Sequence, residues 1–383
     1  LIKIDAHSLT ADVSFRNAEG DLSMTGTSDG LEGVVAAETV LSEVDGAQGR
    51  LIIRGRSLDE LAGRTTFEQA VALLFEGFYP ELPDDVRAAL GAARAEVFAE
   101  VAALDTGLLD RSPIEGMRAL TARLGDGDDI GTAFRLLAAP AVFTAAVVRA
   151  QAGEAPVAPD ASLRHAEDIL RMLRGAAPTK AEADALDTYL VTVADHGLNA
   201  STFAARVVAS TRAGLTSAVL AGISALKGPL HGGAPGPVIE MLDEIGEPAN
   251  ARAWIEAALA RGDRLMGFGH RIYKVRDPRA DALKAAVRWL DARQGRLEFA
   301  EAVEAAALAI LREHKPNRSL ETNVEFYTAL LLEALAFPPP AFTCVFAMGR
   351  VAGWLAHARE QLSGGRLIRP ASVYVGPTPR RAA

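Results

Sequence analysis

Two histidines stand in loops where packing gives no reason for them. His231 lies in LKGPLHGGAPGP, whose Gly228, Pro229, Gly232 and Gly233 forbid regular helix and let the backbone approach a ligand closely. His270 repeats the arrangement in residues 265–280, LMGFGHRIYKVRDPRA, and is followed by Arg271, Lys274, Arg276 and Arg279. His196 sits in the turn ADHGLNAST beside Asp195, Asn199 and Ser201, the setting of a buried, hydrogen-bonded imidazole. Glu325, in TNVEFY, falls just inside a helix start that Asn323 can cap. The spacings among these residues are long and no HxxxH or HExxH pair occurs, which makes a poor zinc site. GFGH also lacks the lysine and hydroxyl of a Walker loop, and the cationic run alone fits a solvated basic surface as well as an anion site. A carboxylate with two loop imidazoles suits proton abstraction next to a carbonyl. The carboxylate takes the carbon-bound proton, one imidazole supports the enol oxygen, and the other serves the electrophile.

The elements that must position these residues read as helices. After a polar arm of about thirty residues that holds His7, residues 42–54, SEVDGAQGRLIIR, form a β-hairpin around Asp45-Gly46 and Gly49. Ser57 with Glu60, and Thr66 with Gln69, are capping boxes that start two helices. Alanine-rich amphipathic stretches follow at 86–104, 114–124, 130–151, 163–174 and 180–194, and alanine permits close helix approach. Residues 201–226 read as two helices, with further helices at 237–245, 250–260, 279–294, 297–313, 324–336 and 346–362 and an extended tail from Gly364. His165, on an amphipathic helix, and His314, in a basic loop, are expected at the surface.

Composition bounds the function. With 383 residues, 49% apolar and 23% charged, the chain supports a large core. The net charge of -9 argues against a surface coated for nucleic acid, so any anion site is local. The longest apolar run, 136–148, is interrupted by Pro140 and too short to span a membrane, and LIKIDAHSL has no secretory pattern. One cysteine, Cys344, fits a reducing cytoplasm and reads as buried packing in FTCVFAM.

Seven segments in order, GLEGVVAAETVLSEVDGAQGRLIIRG, ADHGLNAST, LKGPLHGGA, MGFGHRIYKVRDPRA, NVEFY, FAMGRVAGWLAH and RLIRP, resemble the citrate synthases of short bacterial and archaeal type. The resemblance implies an all-α, two-domain helical fold with the small N-terminal β-hairpin. Its large domain comprises 1–232 and 337–383, and its small domain 233–336. It also implies a homodimer, with acetyl-CoA and oxaloacetate condensing with water to citrate and coenzyme A. The coenzyme A thioester is a co-substrate, and no permanent cofactor, metal, nucleic acid or membrane is involved. By position, His231 bonds the thioester oxygen, His270 polarises the ketone and Glu325 is the base. His196, Arg279 and Arg350 match residues that hold carboxylates, and Arg369 matches one contributed by the partner chain. Asn199 and Ser201 match supports of His231, while Leu265, Met266, Gly267, Gly269, Lys274 and Asn323 match coenzyme contacts.

Three departures stand out. The base position reads NVEFY where the family has NVDFY, Pro235-Gly236 replaces Asn-Glu after HGGA, and Thr322 replaces a proline. Glutamate adds a methylene, and misplacement on the order of 1 Å can cost about a hundredfold in rate. The sequence therefore keeps two alternatives open: 2-methylcitrate synthesis from propionyl-CoA, and a weakly active or non-catalytic paralogue that binds a coenzyme A thioester or dicarboxylate.

Overall fold

The computed structural model describes residues 29–31, 33–232, 235–270, 272–290, 295–315 and 318–377. The expected polar arm, His7 included, lies outside these apart from its last residues, and so do Gly233 and Arg271. Backbone contacts divide the chain into residues 1–38 and 39–383. In the first unit a 3-10 turn, Asp29–Leu31, precedes irregular chain.

The second unit opens with the expected hairpin. Strands β1 (Ser42–Asp45) and β2 (Arg50–Ile53) pair antiparallel, Ser42 opposite Ile53 and Asp45 opposite Arg50. Asp45 braces the turn, its Oδ1 accepting the N–H of Ala47 (3.1 Å) and Gln48 (3.0 Å). A short β3 (Arg56–Ser57), not anticipated, pairs with β2 and completes the only sheet among the described residues.

Helices make up the rest of the architecture. Helices α1 (Leu58–Leu61) and α2 (Phe67–Phe75) start at the two capping boxes: Ser57 N–H donates to Glu60 (2.7 Å) and Thr66 N–H to Gln69 (2.9 Å). Next come α3 (Val86–Val97), α4 (Thr106–Leu109), α5 (Pro113–Thr121), α6 (Ile130–Gln151), α7 (His165–Arg174) and α8 (Lys180–Val193). They are followed by α9 (Ala200–Ser210), α10 (Leu215–Leu226), α11 (Pro235–Ile245) and α12 (Ala251–Ala260). The set ends with α13 (Pro278–Leu290), α14 (Arg296–His314), α15 (Val324–Ala334) and α16 (Phe342–Gly364).

Two long helices organise the core. Helix α6 is longer than its apolar run suggested, long and apolar enough to cross a membrane, yet 83% of that window is buried in the fold against α3, α5, α7 and α16. Helix α16 carries the buried Cys344, whose thiol burial pushes up to about 12, and presses on the end of α8 through glycine. A Cβ on Gly349 would stand 2.9 Å from Leu190 O, and one on Gly353 2.3 Å from Ala194 O. Gly353 N–H donates to that same carbonyl (3.1 Å), giving a partner to a buried acceptor at the end of α8.

His165 corrects one expectation, for it is fully buried rather than solvated. The first turn of α7 faces a buried ion pair, Arg94 Nε to Asp168 Oδ2 at 2.8 Å, with both side chains inaccessible to water. His165 stacks on Phe67 at 5.3 Å and stands 3.3 Å from Arg94, so burial first and the Arg94 charge second hold it neutral. Removing one member of such a pair strands the other charge without water. Asp168→Ala is expected to lower stability by about 3–5 kcal/mol in urea unfolding.

Candidate active site

Three segments converge. The first is the turn after α8, which carries Asp195 and His196. Asp195 is buried and accepts from Ser42 Oγ of β1 and from His357 Nε2 of α16 (3.3 Å). His357 Nδ1 accepts from Arg206 (2.9 Å), so its proton is on Nε2, aimed at Asp195. Burial alone would raise the Asp195 carboxyl, but His357 beside it and the donors from His357 and Ser42 carry it below its ordinary value. Gly197 N–H donates to Ser42 Oγ (2.8 Å), so strand β1 also fixes the turn. Sequence reasoning passed over His357; its only signal was the spacing of seven from Arg350, which puts both on one face of α16.

The second segment holds His270. Gly267 and Gly269 have φ of 87° and 80°, and this backbone pairs with the segment before α15. Asn323 N–H donates to Gly267 O (3.0 Å), Gly269 N–H to Glu321 O (2.7 Å) and Asn323 Nδ2 to Gly269 O (2.9 Å). Leu265 is buried, Met266 is packed against the core, and Lys274 is exposed. Thr322, at the position of the family's proline, is buried and donates its hydroxyl to Glu304 (2.6 Å), a bond proline cannot make. The His270 and Glu325 loops are thereby joined. His270 Nδ1 accepts the N–H of Ile272 (3.0 Å) and of Tyr273 (3.1 Å), so a neutral ring carries its proton on Nε2. Arg279, bound through Nε (3.0 Å) and a terminal nitrogen (2.7 Å) to Asp277, brings that second nitrogen to 3.4 Å from His270 Nε2. Two donors at this distance favour an oxygen that accepts from both. Tyr273 Oη lies 3.1 Å from His196 Nε2, and the His196 and His270 rings are 5.7 Å apart, edge to face.

The third segment follows α10. His231 Nε2 is 2.8 Å from Ser201 Oγ, which donates to Asn199 Oδ1 (2.8 Å) and accepts from Trp354 Nε1 (3.2 Å). Asn199 Oδ1 also caps α9, taking the N–H of Ser201 and Thr202 (both 3.1 Å), which fixes the amide orientation. In this arrangement His231 Nε2 donates to Ser201. A turn of the Ser201 hydroxyl toward Nε2 would move the imidazole proton to Nδ1, so the serine rotor sets which nitrogen donates.

Charge ties the segments together. Arg350 is buried, donates from Nε to Val193 O (2.6 Å), lies 4.9 Å over Phe346, and forms no ion pair among the described residues. Burial, and after it the neighbouring Arg279, lower it to about 10, with Asp195 opposing. Burial, Arg350 and Arg279 hold His231 at about 4; burial and Arg279 hold His270 at about 4; His196 lies well below 6.5. Glu325 caps back on Asn323 through its N–H (3.1 Å), and its Oε2 is buried with no hydrogen-bond partner. Burial raises its carboxyl above 4.5, against a pull downward from Arg279. Arg369 is not brought to this site: it lies in the exposed tail after α16.

Fold and site together define an all-α protein in which neutral imidazoles, a buried carboxyl and two buried guanidiniums share one region. The citrate synthase C-terminal domain family matches residues 30–371. A Mycobacterium tuberculosis protein provisionally named citrate synthase 2 is 42% identical over 362 residues, covering 92% of this chain and 93% of that protein. A 2-methylcitrate synthase of the same species is 38% identical, covering 91% and 90%. The citrate synthase of Thermoplasma acidophilum, solved in a ternary complex with carboxymethyl coenzyme A and oxaloacetate, superposes with a TM-score of 0.81 at 29% identity, covering 94% of this chain and 98% of that one. The chain belongs to the citrate synthase family.

Because the folded values of His231 and His270, about 4, lie below the 6.5 of free histidine, each contributes stability that is present above pH 6.5 and lost as pH falls toward 4. Histidine titration by NMR is expected to find both rings neutral at pH 6, and Arg350→Met to move His231 upward.

Proposed function

We propose that this chain condenses an acyl-coenzyme A thioester with oxaloacetate and water, giving citrate and free coenzyme A when the acyl group is acetyl. The observation that carries the reading is Glu325 Oε2, buried without a hydrogen-bond partner among the described residues, in a site of neutral imidazoles and two buried guanidiniums, Arg279 and Arg350. Glu325 takes a proton from the thioester methyl group, and His231, with the Ser201 hydroxyl turned to donate to its Nε2, donates from Nδ1 to the oxygen that becomes an enol. The enol carbon attacks the ketone carbon of oxaloacetate. The enol C=C pair forms the new carbon–carbon bond, and the ketone π pair passes to the ketone oxygen, which the Nε2–H of His270 meets and protonates. The enol proton returns to His231 as the thioester carbonyl re-forms. Water then cleaves the citryl thioester. Arg279, Arg350 and His196 hold the keto acid carboxylates, and planar guanidinium groups do so in paired bonds that fix orientation. Residues 265–269, Lys274 and Asn323 receive the coenzyme.

Residues 233–336 act as a small domain that closes on the rest, and Arg369 of a second copy completes the keto acid site. The exposed apolar Leu367, Val373, Tyr374 and Val375 around Arg369 suit a tail that lies on a partner chain. A buried sole cysteine suits the cytoplasm. The relative named 2-methylcitrate synthase supports a second reading, in which propionyl-CoA is the thioester.

Thiol release from acetyl-CoA and from propionyl-CoA, each with and without oxaloacetate, tests both. Oxaloacetate-dependent release is expected, and the faster thioester names the product. Release with neither thioester would instead indicate a binding paralogue. Glu325→Gln is expected to lower kcat by about 10²–10⁴-fold, the usual contribution of a general base.

A further inference from the structure

The hairpin turn contains two glycines, and only one of them is required by the turn. Gly49 has a φ of 63°, which L residues rarely adopt. Gly46 lies outside that left-handed region, so its own backbone would accept alanine. Its neighbour would not. A Cβ on Gly46 would stand 2.2 Å from Ile272 O, 2.7 Å from Ile272 C and 2.8 Å from Ile272 Cγ2. The first two are backbone atoms and cannot swing aside as a side-chain tip does. Gly46 O in turn accepts the N–H of Lys274 (2.9 Å), and a Cβ on Gly49 would meet Val275 Cγ2 at 2.8 Å. The tip therefore rests on residues 272–275 with main chain against main chain.

What it rests on is the peptide group that orients an imidazole. Ile272 C=O and Tyr273 N–H belong to one planar unit, and rotation at one end moves the other. Tyr273 N–H donates to His270 Nδ1 (3.1 Å), and Ile272 N–H, one residue earlier, donates to the same atom (3.0 Å). These bonds keep Nδ1 an acceptor and Nε2 the donor.

We propose that Gly46 is a positioning residue for His270: by abutting the Ile272–Tyr273 peptide, the hairpin tip holds the N–H that fixes the imidazole's tautomer and direction. Its kinetic consequence rests on the proposed role of His270 at the ketone; its structural consequence does not. Gly46→Ala tilts the peptide, loosens Nδ1 and misdirects Nε2, with the thioester side of the site untouched.

The test compares the wild-type protein with Gly46→Ala, with Ala47→Ser as an exposed control in the same turn, and with Asp45→Ala. The last opens the turn without pushing on Ile272, and serves if Gly46→Ala fails to fold. Side-chain ¹⁵N NMR of ligand-free protein is expected to show a single Nε2–H tautomer of His270 in wild type and Ala47→Ser, and shifted or mixed signals in Gly46→Ala and Asp45→Ala. In the condensation assay kcat is expected to fall about ten- to a hundredfold in Gly46→Ala, with KM for the thioester unchanged. Wild-type His270 signals in folded Gly46→Ala and Asp45→Ala would overturn the proposal. Altered signals with wild-type kinetics would support the positioning and overturn the role given to His270.

Discussion

A guanidinium held away from water with no carboxylate against it is the constraint the structure must satisfy. Arg350 meets it with partial charges: the Val193 carbonyl, at the negative end of the α8 dipole, and the face of Phe346. Both depend on α16 lying hard against α8, which Gly349 and Gly353 permit because neither presents a Cβ to the opposing backbone. A buried charge compensated by dipoles and by a carboxylate, Asp195, that acts on it without pairing is tolerated if these groups stay put. The tight helical core thus serves electrostatics as much as apolar burial.

The same positive charge disciplines its neighbours. Burial with Arg279 and Arg350 keeps His196 and His231 neutral, and burial with Arg279 does the same for His270, so each ring offers one donor and one acceptor, and fixed partners assign them. Glu325 feels opposing pushes, upward from burial and downward from Arg279. In the proposed reaction a dianionic keto acid would offset the arginine charge, and the carboxylate would become more basic once its substrate was seated. Catalytic strength would then follow occupancy of the site.

Much of this was legible in the sequence because periodicity and capping are local signals. Most helices, the hairpin and both capping boxes stand where spacing put them, though the stretch expected as one helix over 86–104 is α-helical only to Val97, the last helix starts at Phe342, and α4 was not foreseen; the loop glycines marked His231 and His270. Relations between distant segments were not legible. His165 looked solvated because its burial depends on Arg94 and Asp168, and His357 went unnoticed because its partner, Asp195, is 162 positions away. Gly46 read as turn chemistry, whereas the atom that forbids a side chain there belongs to Ile272. The arginine of the tail, Arg369, resembles its counterpart in the family by position, and no property of a single chain gives it a partner.

Cys344 has a practical consequence of a different kind. A thiol held inside α16 and raised to about 12 is almost wholly protonated at neutral pH, and only the thiolate attacks disulfides or electrophiles. The folded protein is therefore chemically silent toward alkylating agents and chromogenic disulfides. Labelling of this one side chain becomes a reporter of unfolding.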